Sequence, residues 1–472
     1  MAQLTDLEKV RKRRARRRAV KGFLTLAVFA LVVFGCAVLV RQAGDVNLRT
    51  AYSDIKESLS TGEGYPVLLP GGSILGMDAT GDTLVVLSDT NLYTYNGTGR
   101  QMMDEQHGLV NPALRTSGDR ILLYDRGNNR LNLYTKSALI GSGESAKPLY
   151  TADLADNGNY VVVTEGEDTL AKAVVYNDSS ERVMESGKEL FTWNSAERPI
   201  ISVSLADGSN ELLVGHVAVS GGEYQCQLQQ FLLSYDGGDI ARTELNGELV
   251  LWVEQRRGGS AWAVTDQRAV LLNDDLQEQA SFRFDGLPLA QFTGSADGHL
   301  VLVLGSYDQD KQVTVCALSP QLELLAQVEV PFQVRAVQAD GQRFYLCGPD
   351  SIRLYQYDGT EELEIPLPQA QDIQLAGGYL YYMTNQELGQ VDLGNLAAYR
   401  PQESSSQPEG ESASGQAASQ PEEASEPEVV SGPEESSEPE AASGPEETGE
   451  PEGAGEPEET GAASEGGSSG QG

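Results

Sequence analysis

The histidines are the first residues to consider for chemistry, because a neutral imidazole serves both as a general base and as a metal ligand. The chain has three, His107, His216 and His299, and none stands at the spacing of a zinc site. His107 precedes Gly108, and His299 follows Gly298 in a turn-like stretch. This pattern predicts that His107 and His299 are solvated turn residues and not bases or ligands.

Motifs for nucleophilic or phosphate chemistry are also missing from the strand-rich part of the chain. No Gly-x-Ser-x-Gly hydrolase elbow occurs between residues 42 and 400. The glycine-rich runs 71–73 and 141–143 lack the lysine that would hold a phosphate. The sequence therefore predicts no catalytic residue, no cofactor-binding residue and no cofactor, and we expect a protein that is not an enzyme.

Acidic side chains are the remaining candidates, because Ca²⁺ prefers several oxygen ligands. The acidic stretches 165–168, 274–275 and 308–310 do not complete a calcium-binding loop, so no metal-binding residue is predicted. Three other carboxylates, Asp78, Asp153 and Asp372, stand near the ends of predicted inner strands. If these three converge in a central funnel, they would favour an enzyme or a sensor of a small ligand.

The elements that must position these residues are short β-strands. Residues 65–400 contain many short runs of Val, Leu, Ile, Tyr and Phe, and Gly, Asp and Asn separate the runs. A glycine-containing turn recurs with an average spacing of about 42 residues, as one four-stranded propeller blade requires. The recurring turn glycines are Gly81, Gly118, Gly158, Gly208, Gly259, Gly298, Gly341 and Gly377. We therefore predict an all-β protein, a β-propeller of eight four-stranded blades, with seven blades as the alternative.

The third strand of each unit repeats a Tyr and Leu pattern, as in 92–95, 131–134 and 352–355. The tyrosines are predicted to pack between blades, with a ligand-binding aromatic cage as the alternative. Longer segments around 177–193 and 220–227 interrupt the repeat and are predicted to be extended loops, which either contact a partner or are neutral insertions.

Closure of the ring is predicted to involve both ends of the propeller. The last unit lacks an outer strand, and Tyr65–Leu69 precede the first complete blade as a spare strand. If Tyr65–Leu69 complete the last blade, the ring has no open seam between its first and last blades.

This arrangement resembles bacterial membrane-anchored β-propellers of the WD40-like or quinoprotein-like kind, including an uncharacterised group of single-pass propeller proteins. The resemblance rests on the order of anchor and ring. The Gly-His and Trp-Asp signatures of WD40 blades do not recur from blade to blade, and Trp193, Trp252 and Trp262 do not recur once per blade. The resemblance therefore implies an architecture, and it implies no cofactor and no catalytic residue.

The N-terminal part predicts a membrane anchor. Residues 1–21 form a basic cytoplasmic segment and residues 22–40 an uncharged, apolar transmembrane helix. A cleaved signal peptide and a lipoprotein signal at Cys36 are the alternatives, but the apolar run is long for the first and continues beyond Cys36, against the second. We expect a single-pass protein of the cell membrane, with a cytoplasmic N-terminus and an extracytoplasmic C-terminal domain.

Composition defines the remaining segments. Residues 41–64 are predicted to be a juxtamembrane stalk, and residues 401–472 an acidic, disordered tail in which Pro-Glu recurs every six residues. The tail is either an extended spacer or a solubilising segment without a partner. Residues 42–400 carry a net charge of −26 and the tail carries −19, so nucleic acid is not an expected partner.

The three cysteines outside the membrane segment, Cys226, Cys316 and Cys347, imply no disulfide framework, which fits a bacterial surface protein. The sequence thus predicts a non-enzymatic interaction or scaffold module of a bacterial cell envelope, with a protein or a wall-associated partner. A sensor or enzyme that uses the central funnel is the alternative function. The oligomeric state is not predicted.

Overall fold

The computed structural model describes residues 48–400 except 178–182, 186–187, 207, 209, 234–237 and 257–258. The predicted basic segment, transmembrane helix and acidic tail lie outside the described residues. Among the helices of the described part, none has the length and hydropathy needed to cross a membrane.

The described chain forms eight antiparallel sheets of four strands each, arranged as the blades of a propeller. The first strands of successive blades lie side by side around the axis, and β2 meets β30 where the ring closes. These first strands are β2 (Ile74–Thr80), β6 (Pro112–Ser117), β10 (Leu149–Leu154), β14 (Ile200–Leu205), β18 (Val250–Gln255), β22 (Leu289–Gly294), β26 (Ala336–Ala339) and β30 (Asp372–Ala376). The prediction of eight blades is confirmed, and the seven-blade alternative is wrong.

The other strands of each blade follow outward from the axis. The second strands are β3 (Thr83–Ser88), β7 (Arg120–Asp125), β11 (Tyr160–Thr164), β15 (Glu211–Ser220), β19 (Ala261–Thr265), β23 (Leu300–Leu304), β27 (Arg343–Cys347) and β31 (Tyr379–Met383). The third strands are β4 (Asn91–Tyr95), β8 (Arg130–Tyr134), β12 (Ala171–Tyr176), β16 (Glu223–Leu232), β20 (Arg268–Leu272), β24 (Val313–Leu318), β28 (Ser351–Gln356) and β32 (Glu387–Asp392). The outer strands are β5 (Gln101–Gln106), β9 (Leu139–Glu144), β13 (Glu189–Ser195), β17 (Asp239–Asn246), β21 (Glu278–Arg283), β25 (Leu324–Val330), β29 (Glu361–Pro366) and β1 (Val67–Leu68).

Three helices accompany the strands in the part of the chain that the structure describes. Helix α1 (Leu48–Ser58) precedes the ring, helix α2 (Tyr307–Asp310) lies in the turn between β23 and β24, and a 3-10 helix (Leu393–Tyr399) follows β32.

Each predicted turn glycine joins the first and second strands of one blade. Seven of the eight have a positive φ, for example Gly118 at 57° and Gly158 at 85°, and Gly341 is the exception. A residue with a Cβ would be strained at such a φ, which explains why glycine recurs there. The repeat seen in the sequence is therefore the turn that ends each first strand.

The predicted closure is confirmed. Strand β1 pairs antiparallel with β32, with Val67 opposite Leu388, and supplies the outer strand of the last blade. The tyrosine ring of Tyr65 packs edge-on against Tyr381, with the ring centroids 5.3 Å apart. Both ends of the propeller sequence therefore hold the last blade.

The core lies at the seams between blades. The described chain has eight hydrophobic clusters, and two neighbouring blades form each of them. Tyrosines of the third strands are buried there, namely Tyr93, Tyr95, Tyr134, Tyr176 and Tyr355. Their predicted role in packing between blades is confirmed, and a stacked pair such as Tyr160 and Tyr176 contributes about 1 kcal/mol beyond its buried area.

Of the two segments predicted to be extended loops, residues 220–227 are strand apart from the turn at 221–222, so that prediction is wrong. In the described part of 177–193, a strand runs only from Glu189 onward. Residues 220–227 form the tip of a hairpin in which β15 and β16 are each ten residues long. Trp193 lies within the outer strand β13 and packs against Phe231 of the next blade. The alternating pattern continues through these residues, because the hairpin extends the blade instead of leaving it.

Candidate functional site

The direction of the first strands distinguishes the two faces of the ring. We call the face on which the first strands begin the mouth face, and the opposite face, which carries the turn glycines, the base face. Because strands alternate in direction, the connections between blades and the turns between second and third strands lie on the mouth face.

A β-bulge recurs where the first strands begin. In five blades the pairing of the first with the second strand skips one residue near the mouth face. The skipped residues, which we call the mouth ring, are Leu75, Tyr150, Ile201, Leu251 and Ala290. A bulge redirects a side chain out of the regular pleat, and Leu75, Tyr150 and Leu251 are 54%, 39% and 46% exposed. Exposed apolar side chains therefore lie where these first strands begin.

Two cavities lie along the channel. One has a volume of about 710 Å³ and is lined by the first strands of blades two to five, including Tyr150, Asp153, Trp252 and Glu254. The other, of about 440 Å³, is lined by the first strands of blades five to eight, including Asp372. Leu251 of the mouth ring lines both cavities.

Polar side chains within the channel connect the first strands of neighbouring blades. The carboxylate of Asp153 accepts a hydrogen bond of 2.8 Å from the backbone N–H of Leu205 in the next blade. The hydroxyl of Ser204 accepts one of 2.9 Å from the N–H of Gln255, again in the next blade. The side-chain amide of Gln291 donates to the carbonyl of Val334. These side chains hold the blades together around the axis.

Only two of the three carboxylates predicted to converge lie together. Asp78 and Asp372 stand on the adjacent strands β2 and β30, whereas Asp153 lines the larger cavity. Burial, with a smaller contribution from the charge of Asp78, raises the pKa of Asp372 to about 6. Burial also raises the pKa of Asp78 above its usual range. The Asp372 carboxylate accepts a hydrogen bond of 2.8 Å from the N–H of Ile373.

His107 is not a solvated turn residue, so that prediction is wrong. It is buried, its Nε2 lies 3.1 Å from the carbonyl oxygen of Ser88, and its Nδ1 accepts a hydrogen bond of 3.0 Å from the N–H of Leu109. These partners require the tautomer with the proton on Nε2. The side chain replaces backbone pairing where the chain passes from the first blade to the second.

The other two histidines are also part of the packing. His299 is half-buried, stacks on Tyr357 and lies 3.0 Å from the carboxylate of Asp297. His216 is buried edge-on against Trp193, and burial lowers its pKa to about 4. Within the part of the chain that the structure describes, no group of three or more His, Cys, Asp or Glu side chains could hold a metal ion.

Helix α1 occupies part of the base face. Asp54 accepts hydrogen bonds of 2.8 Å from the hydroxyl of Thr135 and of 2.6 Å from that of Ser137. Glu57 forms an ion pair of 3.2 Å with Arg100, in the turn between β4 and β5. The place of α1 on the ring could not be predicted from the sequence, because its partners are 38 to 83 residues away in the chain.

Exposed apolar side chains extend from the mouth ring over the mouth face. Val110 and Leu287 lie in connections between blades, Leu170 lies in a turn between strands, and Val219 and Tyr224 lie at the hairpin tip. The mouth face therefore presents the apolar surface that a binding partner requires.

Residues 73–392 match a family described as "Family of unknown function (DUF5711)". The match runs from the first strand of the first blade to the third strand of the last. The chain belongs to the DUF5711 family. No curated protein matches the DUF5711 chain.

Solved propellers resemble the DUF5711 chain in fold. BamB from Moraxella catarrhalis is 11% identical with a TM-score of 0.47, and the alignment covers 70% of this chain and 100% of BamB. The Dos1 propeller is 10% identical with a TM-score of 0.48, and the alignment covers 71% and 96%. Apo AztD from Citrobacter koseri is 11% identical with a TM-score of 0.42, covering 63% and 87%. At these identities the similarity concerns the fold alone.

Proposed function

We propose that this DUF5711 protein is a non-enzymatic interaction module of a bacterial cell envelope, held outside the cytoplasmic membrane by residues 22–40. It engages another envelope protein through the mouth face. The observation that carries the proposal is that the bulged residues Leu75, Tyr150 and Leu251 expose apolar side chains where the first strands begin. Apolar and aromatic side chains on a rigid rim are typical anchors of protein interfaces.

The position of helix α1 supports this choice of face. The helix packs on the base face through Asp54 and Glu57, and residues 22–40 precede it in the sequence. An anchor that enters from the base face leaves the mouth face free for a partner.

The hydrogen bonds of the channel carboxylates support a binding role over a catalytic one. Asp78, Asp153 and Asp372 each accept a backbone N–H at 2.8 Å. These groups connect strands of the channel wall, and we therefore favour a binding role.

In-cell crosslinking followed by affinity purification tests the proposal. The full-length protein is compared with the variant Leu251→Glu and with the control Asp274→Lys, which changes an exposed turn on the base face of the same blade. We expect one or two stoichiometric envelope proteins with the unchanged chain and the control, and loss of those proteins with Leu251→Glu. Equal recovery with all three chains would exclude the mouth face.

Recognition of a small ligand in the channel is a second function, which the larger cavity favours. Its volume of about 710 Å³ falls in the range of small-molecule sites, and Tyr150 and Trp252 contribute aromatic surface. Thermal-shift screening of the full-length protein against soluble metabolites tests this function, and stabilisation that Trp252→Ala abolishes would support it.

A further inference from the structure

The hairpin of β15 and β16 extends beyond the strand that should cover its inner side. Strand β14 pairs with β15 only as far as Ile200 opposite His216, so residues 217–220 continue without a neighbouring inner strand. On the outer side β17 pairs up to Asn246, and Gly247 donates a further hydrogen bond of 2.8 Å to Tyr224. The inner edge of the hairpin is therefore open and the outer edge is covered.

The backbone groups of the open edge point toward the channel side. The N–H of Val217 donates to the carbonyl of Pro199, which precedes β14, at 3.1 Å. Because N–H and C=O groups alternate in direction along a strand, those of Val219 point to the same side as those of Val217. Pro199 has no N–H to continue the ladder. Among the described residues, none forms a backbone hydrogen bond with Val219 on this side.

A tight turn, strand pairing and side-chain packing hold the hairpin in place. Gly221 and Gly222 have φ values of 64° and 88°, the two positive angles of a tight turn that matches the twist of its strands. Ser220 pairs with Glu223 next to this turn, and Val217 packs among the apolar residues at the seam of the fourth and fifth blades. The open edge is thus held in an extended conformation.

The open edge lacks the features that protect other edges. Natural edge strands carry charges or proline, which prevent pairing with another chain. Every outer strand of this ring longer than two residues contains a charged residue, for example Glu144 in β9 and Glu329 in β25. Residues 217–220, Val-Ala-Val-Ser, contain neither a charge nor proline, and Val219 is 67% exposed.

We propose that residues 217–220 accept an extended segment of the partner protein as an additional β-strand. The segment pairs with the N–H and C=O of Val219 and continues toward the mouth ring at Ile201, which packs in the same seam as Val217. Its residues alternate between apolar and polar, since one face meets the apolar seam. Lys or Arg flank it, because residues 42–400 carry a net charge of −26. This inference rests on the proposed function.

Two variants separate backbone pairing from loss of the side chain. Val219→Pro removes the N–H on the open side and places a ring there, whereas the hairpin pairs do not use this N–H. Val219→Thr keeps the N–H and the branched shape. The probe is a phage-displayed library of random short peptides, selected on the full-length protein in detergent micelles, and the dissociation constants of selected peptides are then measured with each variant.

Selected peptides are expected to alternate apolar and polar residues and to protect the Val219 amide from hydrogen exchange. Val219→Pro is expected to weaken binding by about tenfold or more, because at least one backbone hydrogen bond and its geometry are lost. Val219→Thr is expected to bind as the unchanged chain does.

Equal affinity for all three chains, or no protection of Val219, would overturn the added strand. If the peptide results overturn the added strand but an envelope protein in cells still depends on Leu251, only the added strand is refuted and the proposed function stands. If neither the peptides nor a cellular partner depends on the mouth face, both proposals fail.

Discussion

Val67 of β1 lies opposite Leu388 of β32, in the two-residue ladder that joins the beginning of the ring to its end. The preceding Tyr65 adds a ring contact with Tyr381 and a hydrogen bond of 3.1 Å from its hydroxyl to the carbonyl of Asn96. A ladder this short does not close the ring by its hydrogen bonds alone, and the packing of Tyr65 and Val67 at the seam contributes most of the stabilisation.

Deletion of Tyr65–Leu69 therefore tests the closure. We expect a loss of about 3 kcal/mol or more in the free energy of unfolding, because the side chains of Tyr65 and Val67 leave the seam. Chemical denaturation of the full-length protein measures it. The control is Leu68→Lys, whose side chain is 83% exposed in the unchanged chain. An unchanged denaturation midpoint in the deletion would show that β1 does not close the ring.

The buried pair of Asp78 and Asp372 predicts an unusual dependence of stability on pH. A folded pKa of Asp372 of about 6, above the ordinary value of 3.8, means that the folded protein holds a proton that the unfolded chain loses. The unfavourable contribution is absent below about pH 4 and grows as the pH rises through 6. Asp372→Asn should thus raise stability by up to about 3 kcal/mol at pH 7 and change it little at pH 4.

Thermal unfolding of both chains at the two pH values measures this effect. Asp274→Asn, an exposed turn carboxylate, is the matched control and should show no such difference between the two pH values. A stabilisation by Asp372→Asn that is larger at pH 4 than at pH 7 would contradict the assigned direction of the pKa.

Substitution of His107 tests its structural role. His107→Ala leaves the carbonyl of Ser88 and the N–H of Leu109 without their side-chain partner, and we expect a loss of about 2–3 kcal/mol in stability. Urea denaturation measures it, with Val110→Ala at an exposed neighbouring position as the control. Identical midpoints for His107→Ala and the unchanged chain would mean that the histidine is dispensable for folding.

Release of helix α1 from the base face should leave the ring intact. Asp54→Ala removes the acceptor for Thr135 and Ser137, so we expect faster hydrogen exchange in residues 48–58 and an unchanged unfolding temperature of the blades. Lys56→Ala is the control, since its side chain is 64% exposed. Unaltered exchange after Asp54→Ala would show that other contacts hold the helix.

The fold could be predicted because its signals are local. The turn glycines such as Gly158 and the alternating strands recur within each blade, so one blade indicates the next. The channel contacts could not be predicted, because they join residues about 50 positions apart, as Ser204 and Gln255 are, and ordinary residue types make them. The long hairpin could have been predicted, because the pair Gly221-Gly222 between two alternating stretches is typical of a tight hairpin turn.

The candidate site could be predicted only in part, because it too depends on contacts between residues far apart in the chain. His107 is buried and the pKa of Asp372 is raised because of how neighbouring blades pack, and the adjacent residues in the sequence do not indicate this. The mouth ring arises from β-bulges, which no residue type signals, since Leu75, Tyr150 and Ala290 share only their place in the ladder.

A photoreactive amino acid at position 251 of the full-length protein in living cells tests whether the mouth face binds a partner. Leu251 lines both channel cavities at the mouth, and Asp274 lies on the base face of the same blade as the matched position. We expect a discrete crosslinked envelope protein from position 251 and none from position 274. Crosslinks from position 274 alone, or none from position 251 in a folded and correctly inserted protein, would contradict it.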